Sequence, residues 1–232
     1  YRQVIYKAEV NMAAGAKALD QAVDMATRDF LARGIDSITY SDGRKVNIAS
    51  WAEMALRTAS QRATFLGEGK KRDEWGVYTV VMSAHANCSP WCLPYQGTVM
   101  IDDVYTSITP EQAEQLAKEM KLVRLSEAMK EGVFHPNCRH TLSTYFPGIS
   151  RLPEPVDDEV AVKLYKAEQY QRYIERNIRK YKRLAAGSLD EQNVERYKRK
   201  VSEWNMRMEE LLEAYPQLRR DRAREVDKAM VV

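Results

Sequence analysis

The sequence predicts an α+β protein: an N-terminal helix, a small mixed sheet with helices closed by a Cys/His site, then a long C-terminal α-hairpin. Three observations carry that reading. Apolar residues recur at helical spacing near both ends of the chain. Short β-branched runs bounded by turn residues occupy the middle. Every cysteine and every histidine of the chain falls in one of two clusters, Ser83 to Gly97 and Phe134 to His140. The expected divisions are a helical segment over 1–34, an α+β domain over 35–150 and a charged helical hairpin over 157–232.

The elements follow in order. Val10 to Arg33 reads as one amphipathic helix, with Leu19, Ala22, Val23, Ala26 and Phe30 on its buried stripe and Gly34 as a C-terminal cap. The small residues Ala13 to Ala18 suit close packing at its start. Asp42-Gly43 between Ile38–Tyr40 and Lys45–Ile48 predicts a hairpin. Ser50 is placed to cap a helix that ends near Leu66, with Trp51, Met54, Ala55, Ala59 and Ala63 inward. Gly67 to Trp75 reads as a charged loop. Val77 to Met82 is an apolar β-branched run, a buried strand that leads directly into the first cluster. Thr98 to Ile101 reads as a returning strand. Thr109-Pro110-Glu111-Gln112 is a capping box with proline at the first helical position, so a helix covers about 110–120. A short helix from Ser126 to Gly132 precedes the second cluster.

Ile149 to Pro155 holds two prolines and no periodicity, which marks a linker. Asp157 to about Ala186 then carries Val160, Leu164, Ala167, Tyr170, Ile174, Ile178 and Tyr181 at helical spacing. Gly187 breaks that helix, and Ser188-Leu189-Asp190-Glu191 has capping-box spacing. A second helix over Asp190 to Tyr215 follows, stopped by Pro216. A third short helix is expected over Leu218 to Met230.

Composition narrows the function classes. With 44% hydrophobic and 30% charged residues the chain is globular. A net charge of +3 gives no bulk electrostatic case for nucleic-acid binding. From Asp157 onward there are 18 Lys and Arg against 15 Asp and Glu, so that whole excess lies in the hairpin. Three cysteines are odd in number and too few for a disulfide scaffold, which points to a metal site or reduced thiols in a reducing interior. No apolar run approaches the roughly 18–20 residues that span a bilayer. The chain begins at Tyr1 with an already patterned segment, so a fragment of a longer protein is expected.

The clusters offer five soft or borderline metal ligands: Cys88, Cys92, His135, Cys138 and His140. Zinc takes four, in a tetrahedron. The expected set is Cys88 and Cys92 from one loop with Cys138 and His140 from the other, because residues two apart on extended backbone point the same way. His135 is the reserve ligand or a partner behind the ligands. Pro90, Pro94 and Pro136 stiffen both loops. A metal-free cluster of buried cysteines stays open, as does a Cys/His nucleophile pair. A zinc deaminase is rejected: His85 is followed by Ala86-Asn87 rather than the required glutamate, and the cysteines stand Cys-x3-Cys.

These residues, with Trp51-Ala-Glu-Met54-Ala-Leu-Arg57-Thr58, Ser83-Ala-His85 and above all Phe134-His135-Pro136-Asn137-Cys138-Arg139-His140, resemble the phage minor capsid protein 2 family. A more distant likeness is to the MuF-type head-morphogenesis group. The resemblance continues through Gln171 to Arg183 and Leu218 to Glu225. It implies a low-copy virion protein of a tailed phage or prophage, made in the bacterial cytoplasm and bound near the portal vertex inside the head. Its implied partners are the portal and other capsid proteins, and it could leave with the DNA. A rival reading is a toxin-like ADP-ribosyltransferase or hydrolase with a cleft formed by Arg57, His85 and the second cluster. Another is a DNA-binding packaging accessory in which Arg172, Arg176, Arg179, Lys180, Lys182 and Arg183 meet the phosphate backbone. The hairpin's Tyr/Ile stripe could instead dock on the portal or on a second copy.

Overall fold

The helical periodicity of the first third is realised as three packed helices, α1 (Arg2–Ala13), α2 (Leu19–Ala32) and α3 (Ile48–Trp75). Val4, Ala8, Ala22, Val23, Ala26, Phe30, Ile48, Ala52 and Leu56 form their common core. The single helix expected from Val10 is therefore two. Gly15 turns the chain at φ +69°, and the amides of Ala16 and Lys17 close on the Asn11 carbonyl. The run of small residues is the connection, not a packing face. The computed structural model describes residues 1–154 and 156–226.

The Asp42-Gly43 turn joins β1 (Ser37–Thr39) to β2 (Lys45–Asn47), with Ile38 opposite Val46. Asn47, not Ser50, caps α3: its side chain accepts from the Ala49 amide at 2.9 Å. The helix also runs on to Trp75, through the stretch read as a loop. Two interactions explain that. Arg72 is wholly buried in these last two and a half turns, and Gly69 lets the Tyr105 backbone approach so closely that an added Cβ would stand 1.9 Å from its carbonyl oxygen. The buried side of α3 is Ile48, Ala49, Ala52 and Leu56, then Phe65, Gly69 and Arg72. Ala63, expected inside, is exposed, and Trp51, Met54, Ala55 and Ala59 are only half-buried.

A four-stranded mixed sheet has the order β5-β4-β3-β6, from β3 (Thr79–Met82), β4 (Val99–Ile101), β5 (Val123–Arg124) and β6 (Leu142–Thr144). β3 is buried at every position, as its β-branched run requires. α4 (Pro110–Met120) begins on the Thr109–Gln112 capping box and packs Ala113 and Ala117 on Ile101. α5 (Leu125–Lys130) is fastened where Asp103 accepts from the Ser126 amide and hydroxyl. β3 and β6 are antiparallel, with Met82 opposite Leu142, and the Ser83 amide donates to the Thr141 carbonyl. This register fixes the site. One strand leaves the sheet into the first cluster, and the other enters it from the second.

The chain divides into two units, Tyr1–His85 with Pro90–Pro155, and Ala86–Ser89 with Val156–Val232. The N-terminal helices thus belong with the sheet. Residues 149–154 carry no helix or strand, and Pro155 of the expected linker lies outside the described residues. In the second unit α6 (Asp158–Gly187) and α7 (Glu191–Ala214) form the hairpin around Ala167, Ile174, Ile178, Trp204, Met208 and Leu211. Val160 and Tyr170, placed on the buried stripe, are exposed. Asp190 rather than Ser188 caps α7: its carboxylate accepts from the Gln192 amide, while the Ser188 hydroxyl donates back to the Leu184 carbonyl. A 3-10 turn over Arg222–Glu225 stands where a third helix was expected. The carbonyls of Arg219 and Arg224 accept from the side chains of Gln171 and Arg179. Residues 227–230 of that expected helix lie outside the described residues. No described helix is long and apolar enough to cross a membrane.

Candidate metal centre

Cys92, Cys138 and His140 converge on one buried point, every pair of their donor atoms within 4.8 Å. The Cys92 and Cys138 sulfurs are 3.7 Å apart, and the Cys138 sulfur is 3.3 Å from His140 Nδ1. Both cysteines are free thiols, far from the 2 Å or so of a disulfide. Two thiolates at about 2.3 Å from one tetrahedral zinc would stand about 3.8 Å apart. The spacing therefore fits a shared metal, and so do the donors, two sulfurs and one imidazole. Without a cation they suit each other poorly as thiolates: the hydrogen bond with Cys92, then burial, pushes the Cys138 thiol strongly up. A divalent cation supplies the charge that would reverse this.

The surroundings orient the imidazole. His140 Nε2 lies 3.1 Å from Gln96 Oε1, an oxygen that also accepts from the His85 amide. An acceptor held there requires Nε2 to carry the proton and leaves the Nδ1 lone pair toward the sulfurs. Gln61 of α3 donates to the carbonyls of His140 and Cys138, at 2.7 and 3.3 Å. Ser83 holds the two strands' exits together: its hydroxyl accepts from the Thr141 amide and meets His85 Nε2 at 3.0 Å. The His85 ring sits 4.7 Å from that of His140, and burial, then the neighbouring imidazole, lowers its pKa. Gln61, Gln96 and Ser83 were missed by sequence reasoning. Glutamine and serine carry no ligand spacing, and only the fold brings position 61 to position 140.

Of the five anticipated ligands the structure gathers three. His135 stands beside them, with its hydrogen bond to Cys92 raising its pKa and its Nδ1 2.9 Å from the Pro136 carbonyl. Trp91 packs against its ring at 5.5 Å. Cys88 is buried but groups with the second unit, in the segment Ala86–Ser89 whose Asn87 donates to Glu168. Arg57, the cation of the enzymatic reading, pairs with Glu53 at 2.8 Å. On the hairpin, Arg172 bridges Glu168 and Glu175, and Arg179 donates to the Arg224 carbonyl. Arg176, Lys180, Lys182 and Arg183 are exposed.

A family model described as phage minor capsid protein 2 matches residues 1–213, nearly the whole chain and both clusters. The chain belongs to the phage minor capsid protein 2 family. A relative named "Structural protein", from Lactococcus phage LL-H, is 22% identical over 186 residues, covering 78% of this chain and 48% of that protein. The chain thus spans about half the length of this relative. No solved structure matches it. As a family member, then, this chain carries its Cys/His point at the exits of β3 and β6, inside the matched region.

Proposed function

We propose that the chain is a structural part of a tailed-phage head, bound near the portal vertex on the inside of the capsid. In this reading a zinc ion on Cys92, Cys138, His140 and His135 clamps its two loops. The observation that carries the clamp is the convergence of two sulfurs and one oriented imidazole from segments 46 residues apart in sequence. The family membership carries the setting, with the portal and other capsid proteins as partners. Zinc here would do no chemistry beyond neutralising two thiolates and crosslinking the exits of β3 and β6. Small sheets with strands of two to four residues gain stability from such a crosslink.

Metal analysis of the purified chain tests this. About one zinc per chain is expected, and a chelator should lower the melting temperature. Cys138→Ser should lose the metal, while Cys88→Ser should keep it. Full metal content and an unchanged melting temperature in Cys138→Ser would overturn the clamp. Metal loss in Cys88→Ser with retention in His135→Ala would exchange the fourth ligand.

A further inference from the structure

The two flanks of the α6–α7 hairpin differ in charge. On one flank the acids Glu175 and Glu225 are buried and ringed by Arg172, Arg179 and Arg220, and the segment after α7 closes over them. The other flank is found by stepping 100° per residue from the buried Ile174. On α6 it bears Lys163, Lys166, Tyr170, Tyr173 and Lys180, edged by Arg176, while Glu168 and Glu175 fall on the opposite flank. On α7 it bears Trp204 and Arg207, with Arg196 further along and the Lys200–Glu203 ion pair between them, at 2.7 Å. Ring contacts confirm that the two helices share this flank. Tyr173 meets Trp204 edge-on at 5.5 Å and stacks beside Tyr170 at 6.2 Å. Arg176 lies over the Tyr173 ring and Arg207 over Trp204, at 5.9 and 4.4 Å.

We infer that this flank is a nucleic-acid-binding surface for the phosphate backbone, with Arg176, Lys180, Arg196 and Arg207 as its charged contacts and Tyr173 and Trp204 as the platform that orders them. Charge complementarity selects the occupant. Cations outnumber acids on this flank, whereas the opposite one pairs its acids with arginines, and the guanidiniums of Arg176 and Arg207 are held on rings rather than on carboxylates. Cations stacked on aromatics keep their donors for an anion. Contacts of this kind go to phosphates, which carry no sequence information, so the binding is independent of sequence. The surface differs from the stretch read off the sequence: Arg172, Arg179, Lys182 and Arg183 leave it, and Arg196 and Arg207 of the second helix join it.

The test uses the full chain and a random-sequence DNA duplex, with fluorescence anisotropy at several KCl concentrations. Affinity should fall as salt rises. Arg176→Glu/Lys180→Glu/Arg207→Glu should bind at least tenfold more weakly and show a log–log salt slope smaller by about 3, near one per lost phosphate contact. The control Lys7→Glu/Lys70→Glu/Lys130→Glu carries the same net charge on exposed positions of the other unit and should bind nearly as the parent does. Circular dichroism confirms folding of both. A flat salt dependence, or equal weakening in the control, overturns the proposal. So does tighter binding of a single strand that is lost in Tyr173→Ala but kept in the triple variant, which would make the rings the site.

Discussion

Arg72 is the largest side chain that the fold buries completely, and it is charged. Its guanidinium donates from Nε and Nη2 to Asp102 Oδ2, at 3.1 and 2.7 Å, and Thr144 and the Phe65 carbonyl lie at the limit of bonding distance. Asp102 in turn accepts from the Tyr105 amide at 2.9 Å. The pair ties the end of α3 to the end of β4. Removing Arg72 leaves the buried Asp102 without its cation, and removing Asp102 leaves the buried guanidinium with Glu68, at 3.6 Å, as its nearest carboxylate. Arg72→Met and Asp102→Asn should therefore each cost about 3–5 kcal/mol. Replacing both with apolar residues should cost less than the sum, because neither member of the pair is left without the other. Urea denaturation of the three variants decides it, and single-variant costs below about 1 kcal/mol would refute the assignment. At this same scale the metal point was half legible. Cys92, Cys138 and His140 announce themselves by spacing. Spacing put Cys88 ahead of His135, whereas the fold sets His135 against Cys92 and groups the Ala86–Ser89 segment with the second unit.

Elements were legible where local chemistry acts alone. The Asp42-Gly43 hairpin, the Thr109 capping box, the β-branched run of β3 and the two long hairpin helices all follow from neighbours in sequence. α3 beyond Leu66 did not, since two glycines and a run of charges argue for a loop. The helix persists because Gly69 and Arg72 are used by β4 and the Tyr105 loop, which are distant in sequence. β5 has two residues and declares nothing by itself. In α6 the buried Glu175 has a price: burial, outweighing Arg172, holds its carboxyl above the usual range. A carboxyl raised in the folded state contributes stability below its unfolded pKa, about 4.3, that is lost as pH rises through the folded value. Relative to Glu175→Gln, the parent chain should thus lose stability between pH 4 and pH 7. Urea midpoints at the two pH values measure this, and a constant difference, or a gain by the parent, would remove Glu175 as its source.

At the scale of the whole molecule, charge and chemistry are divided between the units. The +3 excess lies from Asp157 onward, in the unit with the basic flank, whereas the metal point lies in the unit that is neutral overall. This division separates two fates in the particle. A chain held in the head by DNA contacts alone would leave with the DNA and be stripped by salt. A chain held by protein contacts, whose own loops are fixed by zinc, would stay behind. The portal-bound reading takes the second course. Heads emptied by osmotic shock and treated with nuclease should retain the chain in 1 M salt, with zinc in a ratio of one to the chain. Chemical crosslinking of those emptied heads should join it to the portal. Recovery of the chain with the released DNA instead would make it an ejected protein, and would leave the basic flank, rather than the portal, as what keeps it in the full head.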